Sequence, residues 1–425
     1  MINTMTIALI LFALTYVLLL ALPDYRHWVA LASAALFVIL GILKPGAVPG
    51  AIDWNVLMMI AGTMGLVSIF IDTGMPSLMA DVLLDKVSTV RATIIALCLF
   101  AGVVSAFVDN VATVLMVAPV ALAISKKFQI SPVPMIIAIS VSSNLQGAAT
   151  LVGDTTSILL GGAADMDFMD FFWFKGRPGM FFVVEIGAAL TAFVLFWLFR
   201  KESQKTETKE HTVVTDYLPT VLLAGTVLLL IGVSFFPNRP SITNGVICMG
   251  MFLIGLIANI IKRKSAAAAA KPIREIDYQT LLLLAGLFVV IGGITEAGVI
   301  DAIAAVFKKL GGGNLFLIYT IVVWASVLFS AFIDNIPYVA TMLPVMAKLS
   351  AGLGVEPYLL YFGLLTGATL GGNLTPIGAS ANITAIGLLR KDGHEVKTSD
   401  FMRIGVPFTL TAVITGYLLV WFLWK

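Results

Sequence analysis

Two aspartates in apolar surroundings are the residues of this sequence with the most evident chemistry. They are Asp109, in SAFVDNVATVLMVAP at 105–119, and Asp334, in SAFIDNIPYVATMLP at 330–344. A carboxylate at membrane depth costs about 2.5–3.5 kcal/mol even on a lenient insertion scale, so an aspartate found there is a functional candidate. Each one could coordinate Na⁺, take up a proton or cap the helix that follows it. The sequence leaves these three roles open.

Two polar stretches follow the Asp-Asn motifs. They read SSNLQGAATLVGDTTSILLGG at 142–162 and TGATLGGNLTPIGASANITAIG at 366–387. A helix that is broken inside a membrane leaves backbone groups unpaired at several kcal/mol each, so such breaks persist where the freed groups bind something. Carbonyl groups suit Na⁺, and half-helix N-termini suit an anion. Close packing of helices by small residues is the alternative. We expect each Asp-Asn motif and the break that follows it to form one site.

The candidate ligands for ion and substrate are the polar residues and glycines of these four motifs. They are Asp109, Asn110, Thr113, Asn144, Thr150, Gly153, Asp154 and Thr155, and then Asp334, Asn335, Thr341, Asn373, Thr375, Pro376, Gly378, Ser380 and Asn382. The candidates for Na⁺ itself are Asp109, Asn110, Gly153, Asp334, Asn335 and Gly378. Asp154 has no acidic counterpart, because Ala379 takes its place in the second half, and it is a candidate for proton coupling or substrate contact. No Lys or Arg lies in these motifs, so an anion would be bound through Na⁺, helix dipoles and amides.

Four further acidic residues lie near the ends of predicted spans. Asp53 and Asp277 directly precede apolar runs, a position where aspartate commonly caps a helix. Asp72 and Glu296 lie near helix ends, where solvation at the membrane interface accounts for them. None of the four is assigned to the site.

The composition is that of a polytopic membrane protein. Of the 425 residues, 59% are hydrophobic and only 12% are charged, whereas a soluble domain has about 25% charged residues. The net charge of +2 gives no indication of a nucleic-acid partner. Both cysteines lie in apolar segments, and only three histidines are present. These counts argue against a zinc site and against Ser-His-Asp chemistry, so we expect no enzyme.

Apolar runs predict about ten spans. They lie at about 5–22, 28–43, 54–72, 135–162, 180–199, 217–236, 241–261, 278–297, 357–388 and 405–424. Two paired apolar segments, 92–124 and 315–347, have their Asp-Asn motifs near the middle. Each arm of these segments has about 15–17 residues, or roughly 23–26 Å of helix, which is shorter than the hydrocarbon core of about 30 Å. We therefore predict re-entrant hairpins.

The basic residues predict an orientation. If the loops at 200–216 and 262–274 are cytoplasmic, 18 of the 26 Lys and Arg residues lie on the cytoplasmic side. Cytoplasmic loops of membrane proteins contain such an excess. We expect a multi-pass protein of the cytoplasmic (inner) membrane with both termini outside.

An offset of 224–225 residues relates the two halves of the chain. It pairs Asp53 with Asp277, Gly62 with Gly286, Gly74 with Gly298, Asp109 with Asp334, Gly147 with Gly372, Thr150 with Thr375 and Gly153 with Gly378. With the predicted orientation this is an inverted repeat, an arrangement common among secondary transporters. The predicted divisions are N-terminal scaffold helices at 1–52, repeat 1 at 53–199, cytoplasmic linkers with two connecting helices at 200–276, and repeat 2 at 277–425. The linker segments 200–216 and 262–275 show no chemistry.

The four motifs resemble those of the ion transporter superfamily, which includes divalent-anion/sodium symporters, citrate carriers, arsenite permeases, NhaD-type sodium/proton antiporters and the melanosomal P protein. The motifs are DNVATVLMVAP, DNIPYVATMLP, TLVGDTTSILLG and NLTPIGASANI, and the resemblance extends from about Asp53 to about Phe408. It implies two unwound helices, a transport domain that moves as an elevator against a scaffold, and commonly a homodimer. It also implies one ion site at Asp109-Asn110 and Gly153, and another at Asp334-Asn335 and 375–378.

The hairpin tips differ from those of one branch of this superfamily. Its carboxylate symporters have Ser-Asn-Thr at both tips, whereas the tips here read Asp-Asn-Val and Asp-Asn-Ile. Where those symporters have a proline-containing break after the glycine, this chain has DTTS. The tips are closer to those of the P-protein and antiporter branches, and the added carboxylates favour cation or proton handling.

Together these features predict an all-α polytopic membrane protein with scaffold and transport domains. The predicted function is ion-coupled secondary active transport of a small anion, an organic acid or oxyanion, with Na⁺ or H⁺ as the coupling ion and no other cofactor. The alternative is a Na⁺/H⁺ antiporter in which Asp109 and Asp334 exchange the two cations. An intramembrane enzyme is disfavoured because no His lies in a predicted span. A channel is disfavoured because two half-sites replace a continuous polar stripe.

Overall fold

The fold is almost entirely helical. A computed structural model of the chain describes residues 3–202, 204, 212–236 and 238–425, so the predicted linker 200–216 lies partly outside the described residues. In the first half the helices are α1 Thr4–Ala21, α2 Arg26–Ile39, α3 Val48–Ala51, α4 Trp54–Ile71, α5 Met75–Leu84, α6 Val90–Ser105, α7 Asn110–Phe128, α8 Pro132–Gly147, α9 Thr155–Ala164 and α10 Met180–Leu198. In the second half they are α11 Leu218–Val233, α12 Thr243–Arg263, α13 Ala270–Arg274, α14 Tyr278–Glu296, α15 Val299–Leu310, α16 Leu315–Ser330, α17 Asn335–Leu353, α18 Tyr358–Gly371, α19 Ser380–Lys391 and α20 Thr398–Trp424.

Short elements connect some of these helices. Turns of 3-10 helix lie at Pro23–Tyr25, Pro45–Ala47, Met169–Phe171, Ala266–Ala269 and Gly372–Leu374. A two-stranded antiparallel ribbon, β1 Trp173–Phe174 and β2 Arg177–Pro178, precedes α10.

The prediction of a multi-pass membrane protein is confirmed. Among the described residues, 8 helices are long and apolar enough to cross a membrane, or up to 9 if α15 and α16, which meet at 116°, form one bent span. The predicted spans 135–162 and 357–388 are each divided into two helices, α8 with α9 and α18 with α19. The helix α2 has only 14 residues and α11 only 16, so each is shorter than the span predicted for it.

The Asp-Asn motifs form the turns of two helical hairpins. We name α6 with α7 hairpin 1 and α16 with α17 hairpin 2. The Asp109 carboxylate accepts hydrogen bonds from the N–H groups of Val111 at 3.0 Å and Ala112 at 3.2 Å. The Asp334 carboxylate accepts one from Ile336 at 3.1 Å. Both aspartates therefore cap the second helix of their hairpin, which is one of the three roles considered for them.

Each broken helix packs against the turn of its own hairpin. The first break separates α8 from α9, and in it the Thr150 hydroxyl donates a short hydrogen bond to the Ala106 carbonyl. In the second break, between α18 and α19, Thr375 makes the same bond to Ala331. A Cβ added at Gly153 would lie 2.5 Å from the Ser105 carbonyl oxygen. Only glycine allows the backbone to approach this closely, so the position predicted for an ion ligand is also a packing position.

Close contacts between helices join the two halves. A Cβ at Gly62 of α4 would lie 2.4 Å from the backbone of Cys248 in α12. A Cβ at Gly286 of α14 would lie 2.7 Å from the backbone of Ala30 in α2. The pairs α4–α12 and α14–α2 are therefore packed in the same manner, each combining a helix of one half with a helix of the other.

Candidate functional site

A buried network of asparagines joins the two broken helices to hairpin 1. The Asn144 amide in α8 donates to the Thr369 carbonyl at 2.8 Å and to Asn373 Oδ1 at 3.1 Å. It also accepts from Asn110 Nδ2 at 2.9 Å. The Asn373 amide donates back to the Val141 carbonyl at 3.0 Å. These side chains are buried and satisfy one another, so hairpin 1, α8 and α18 are connected through polar groups as well as through apolar packing.

Other candidate residues form hydrogen bonds close to this network. The Ser140 hydroxyl donates to Asn382 Oδ1 at 3.0 Å, and the Asn382 amide donates to the Gly372 carbonyl at 3.2 Å. The Thr113 hydroxyl donates to the Val108 carbonyl within hairpin 1 at 3.4 Å. Pro376 lies half-buried in the second break. The hydrogen bonds of Asn382 and Thr113 are made to the protein itself, and neither residue lines the cavity described next.

Six of the predicted residues line one cavity of about 360 Å³. They are Asp109, Asn110, Asp154, Thr155, Asn335 and Ser380, and they belong to the starts of α7, α9, α17 and α19. The opposite wall is formed by α4, α13 and α14. Four helix N-termini, each with a partial positive charge, therefore meet at the same cavity as the acidic side chains.

The four helix N-termini are not equivalent. The side chains of Asp109 and Asp334 accept hydrogen bonds from the first N–H groups of α7 and α17. The N-cap residues of α9 and α19, Asp154 and Ala379, form no such side-chain bond. Asp154 accepts instead from the hydroxyl of Thr156, at 2.7 Å. The starts of α9 and α19 therefore lack the side-chain cap that α7 and α17 have, and the partial positive charge of a helix start attracts anions.

The cavity wall is strongly acidic. Its carboxylates belong to Asp72, Asp109, Asp154, Glu275 and Asp277, and its basic residue among the described ones is Lys271. For two of these residues, Asp277 and Asp72, the sequence predicted positions outside the site. Asp277 is the predicted N-cap, since it accepts from the Thr280 N–H at 3.0 Å, but it also faces the cavity. Solvation at the interface does not account for Asp72, because its carboxylate forms a short ion pair with Lys271.

The prediction that segment 262–275 has no chemistry is wrong. Lys271 of α13 pairs with Asp72, and it lies 3.7 Å from Glu275, which in turn accepts a short hydrogen bond from Ser68. The hydrogen bond to Asp72 raises the pKa of Lys271 above its ordinary value, so the ammonium stays charged at neutral pH. A sequence signal existed in the three charged residues of KPIRE at 271–275, two residues before Asp277. That signal did not indicate which helix end these charges face.

The expectation that no Arg or Lys belongs to the site is also wrong. Besides Lys271 in the cavity wall, Arg26 at the start of α2 lies with Nη1 3.2 Å from Asp334 Oδ2. Ser380 donates to the same oxygen at 3.1 Å. Arg26 follows a predicted span in an ordinary loop position, and its sequence environment gives no indication of a partner in the other half.

Hairpin 2 has a second contact with the N-terminal helices. The Tyr16 hydroxyl in α1 donates to the Pro337 carbonyl at 2.8 Å and also lies within hydrogen-bonding distance of the Thr341 hydroxyl. Thr341 therefore contacts α1, and it is not among the residues that line the cavity.

Paired hairpins, two broken helices and a cavity with five carboxylates at their junction form an arrangement typical of membrane transporters. Two solved structures are similar in fold. The YdaH transporter of Alcanivorax borkumensis matches with a TM-score of 0.62 at 13% identity, over 93% of this chain and 96% of that one. MtrF of Neisseria gonorrhoeae, described within a class of antimetabolite efflux pumps, matches with a TM-score of 0.54 at 16% identity, over 86% and 80%.

The sequence comparisons specify the family. A family model described as citrate transporter, CitMHS, matches residues 9–367, so this chain belongs to the CitMHS citrate transporter family within the ion transporter superfamily. It is 31% identical to an uncharacterized transporter of Mycobacterium tuberculosis over 98% of this chain and 97% of that protein. It is 30% identical to a 46 kDa membrane protein of Mycobacterium leprae over 98% of both. The human P protein is 29% identical over 87% of this chain and 54% of that protein.

Proposed function

We propose that this transporter is an ion-coupled secondary active transporter of a small anion, an organic acid or oxyanion, with Na⁺ or H⁺ as the coupling ion. The observation on which the proposal rests is the position of Asp109 and Asp154 beside the uncapped N-termini of α9 and α19 in one cavity. Without a bound cation, the carboxylates repel an anion from those N-termini. With a cation bound, the repulsion is removed and the helix ends attract the anion. Coupling follows, because the anion binds well only after the cation.

The size of the cavity agrees with this class of substrate. Sites for small molecules commonly measure about 300–1,000 Å³, and this cavity measures about 360 Å³. A small organic acid fits such a volume, together with the coupling ion and a few waters.

We further propose that the two halves form an inverted repeat and move as an elevator. In this proposal the hairpins and broken helices form a transport unit, and α1, α2, α4, α11, α12 and α14 form the scaffold. One difference between the halves supports movement: a Cβ at Gly162 of α9 would lie 2.6 Å from the Asp53 carboxylate of α4, whereas a Cβ at the counterpart Gly387 of α19 would meet no atom within 4 Å. Gly162 of α9 is thus close to the start of α4, whereas Gly387 of α19 has open space beside it, and this difference supports the proposal of two alternating states.

The second candidate is a Na⁺/H⁺ antiporter that uses Asp109 and Asp334. The observation in its favour is the wall of the cavity, in which five carboxylates, including that of Asp109 but not that of Asp334, face a single described ammonium group, that of Lys271. Such a wall attracts cations whether or not an anion is present.

A flux measurement in proteoliposomes tests the proposal and separates it from the alternative. Na⁺ and pH gradients are imposed separately, with radiolabelled citrate, succinate and phosphate as the anions. Anion uptake that requires an inward gradient of Na⁺ or H⁺ supports the symporter. Cation-driven proton movement in the absence of any anion supports the antiporter. A preparation that is folded by size-exclusion chromatography but supports neither flux contradicts both.

Three further expectations belong to the same proposal. They are location in the inner membrane, termini on the outer side and assembly as a homodimer. Light scattering of the purified protein in detergent, with the detergent mass subtracted, measures the number of protomers, and a mass of a single 45.3 kDa chain would contradict the dimer.

A further inference from the structure

The carboxylate of Asp334 is surrounded by three donors from three parts of the chain. Its Oδ1 accepts from the N–H of Ile336 at 3.1 Å. Its Oδ2 accepts from the hydroxyl of Ser380 at 3.1 Å and from Nη1 of Arg26 at 3.2 Å. The first two donors belong to hairpin 2 and to α19, whereas Arg26 belongs to α2. The Arg26–Asp334 contact is therefore an ion pair between the transport unit and the scaffold as defined above.

Arg26 is held in place from the scaffold side. Its Nε donates to the Leu19 carbonyl in the last turn of α1 at 3.2 Å, where a helix leaves carbonyls without internal partners. The side chains of Arg26 and Asp334 are only 21% and 10% exposed, so solvent screens the pair weakly. Tyr16 of α1 donates to the Pro337 carbonyl in the first turn of α17. Arg26 and Tyr16 together form what we name the α1–α2 clasp on hairpin 2.

Hairpin 1 has no equivalent of this clasp among the described residues. Among the described residues, the Asp109 carboxylate accepts hydrogen bonds from backbone N–H groups, and no described basic side chain forms an ion pair with it. The second half also has an arginine tethered in this way. Arg239, before α12, donates from Nη1 to the Val233 carbonyl in the last turn of α11 at 2.7 Å, as Arg26 does to Leu19 in α1. Its ion pair is formed with Asp167, which follows α9, so the two halves differ in which aspartate the tethered arginine pairs with.

We propose that Arg26 is a tethered counter-ion of Asp334 that competes with the coupling cation and holds hairpin 2 in the state seen here. The inference rests on the proposed function in taking Asp334 as an ion ligand. When hairpin 2 leaves the scaffold, Asp334 loses the guanidinium and becomes a poorly solvated carboxylate without a cation. A Na⁺ ion or a proton replaces the guanidinium and permits the movement. Asp109 and Asp154, which lack a tethered cation, remain free to bind the coupling ion in the present state.

The positions of the two units can be measured directly with spin labels on the full-length protein in nanodiscs. Both native cysteines are buried, and they are replaced in a C98A/C248A background. Labels are attached at the exposed residues Arg263, at the end of α12, and Glu395, after α19. Double electron–electron resonance then gives the ratio of the present state to the alternative state. We expect R26Q and D334N each to lower this ratio at least about fivefold, the lower end of typical coupling between sites, and R26K to retain it.

Two comparisons distinguish a counter-ion from a structural role. If Arg26 acts through Asp334, the R26Q/D334N double variant has the same distance distribution as D334N alone. The matched control is K126Q, which removes an ion pair with Asp392 inside the transport unit and should leave the distribution unchanged. A wild-type distribution in R26Q, or effects of R26Q and D334N that add, overturns the proposal. If R26Q elutes as aggregate in size-exclusion chromatography, R26M, which also removes the charge, and the R26M/D334N double variant give the same comparison.

A titration separates this inference from the proposed function. Because the competing guanidinium is absent in R26Q, its distance distribution should respond to Na⁺, or to acidification if H⁺ is the coupling ion, at a midpoint concentration at least about fivefold lower than in the wild type. An unchanged or higher midpoint contradicts competition. If R26Q changes the distribution but no wild-type flux of anion or cation is found, the clasp exists and the proposed transport function is wrong.

Discussion

The amide of Asn144 joins the two broken helices directly, since its Nδ2 lies 3.1 Å from Oδ1 of Asn373 in the second half. The same amide group accepts from Asn110 of hairpin 1 and donates to the Thr369 carbonyl of α18. A single buried side chain therefore connects elements that are far apart in sequence. Its position explains how the cavity residues of both halves can keep a fixed geometry.

Replacement of Asn144 by Ala should destabilise the folded protein. It leaves Asn110 Nδ2 and the Thr369 carbonyl without their partner, and each unpaired buried group costs about 1–3 kcal/mol. We expect a loss of about 2–4 kcal/mol, measured as a lower midpoint of thermal unfolding in detergent. Asn314→Ala is the matched control, because Asn314 is an exposed N-cap of α16 and its loss costs about 1 kcal/mol. Equal effects of the two changes would contradict a special role for the buried network.

Replacement of either hairpin aspartate by Asn should abolish coupling with the fold retained. Asparagine also caps helices, so the starts of α7 and α17 are preserved while the negative charge is lost. We expect D109N and D334N to lower gradient-driven flux in proteoliposomes at least about tenfold. D301N is the control, since Asp301 is an exposed acid paired with Lys348 on the outside of hairpin 2. Normal flux in both hairpin variants would show that these aspartates are caps only.

Alanine at Gly378 should interfere with the packing of the second break. The added Cβ would lie 2.5 Å from the Gly372 carbonyl oxygen and 2.6 Å from that of Ser330, and backbone atoms cannot move aside as a flexible side chain can. We expect loss of transport and a lower unfolding temperature, by a cost of about 1–3 kcal/mol typical of overpacking. For the unfolding temperature the control is Gly387→Ala, in the interior of α19 with no atom within 4 Å of the new Cβ, which should be neutral or stabilising by up to about 1 kcal/mol. A neutral Gly378→Ala would mean that the break does not need this close approach.

Replacement of Lys271 by Gln should weaken the binding of an anion. The change removes the described ammonium group of the cavity wall and leaves Asp72 and Glu275 without their partner, so the wall becomes more negative. We expect the KM for the anion to rise about fivefold, and the difference from the wild type should shrink at high salt because added salt screens exposed charges. Since the pKa of Lys271 is raised, the ammonium is charged at every pH below its ordinary value. The effect should therefore be equal at pH 6 and pH 8, and a large difference between them would contradict this role.

The orientation can be tested by chemical labelling from the two sides of the membrane. Val213 is 84% exposed in the loop predicted to be cytoplasmic, and Lys425 is the last residue of the chain, predicted to be outside. In a background without Cys98 and Cys248, a membrane-impermeant maleimide should label Lys425→Cys in intact cells. It should label Val213→Cys only after the membrane is opened. The reverse pattern would show that the orientation derived from the Lys and Arg residues is wrong.

Several features of the fold could be predicted from the sequence because they depend on residues that are neighbours in the chain. The Asp-Asn motifs predicted helix starts because a carboxylate bonds to N–H groups two or three residues further on, as Asp109 and Asp334 do. The breaks after Gly147 and Gly371 were indicated by runs of Gly, Ser, Thr and Asn that do not continue an apolar helix. Apolar runs predicted the membrane class, because the energy of transfer into lipid is a sum over neighbouring residues. Helix ends were less certain, and α20 begins at Thr398 rather than near 405.

The sequence by itself thus determined the class of the protein, the positions of the two helical hairpins and of the breaks, and two of the five cavity carboxylates, Asp109 and Asp154. Only the tertiary structure decided which charges meet, because side chains contact across helices that are hundreds of residues apart in the chain. Arg26 reaches Asp334 because α2 packs on α14 beside hairpin 2, and Lys271 reaches Asp72 because the short helix α13 lies over the end of α4. No periodicity or motif encodes such a pairing. The expectation of a site without basic residues was wrong for that physical reason.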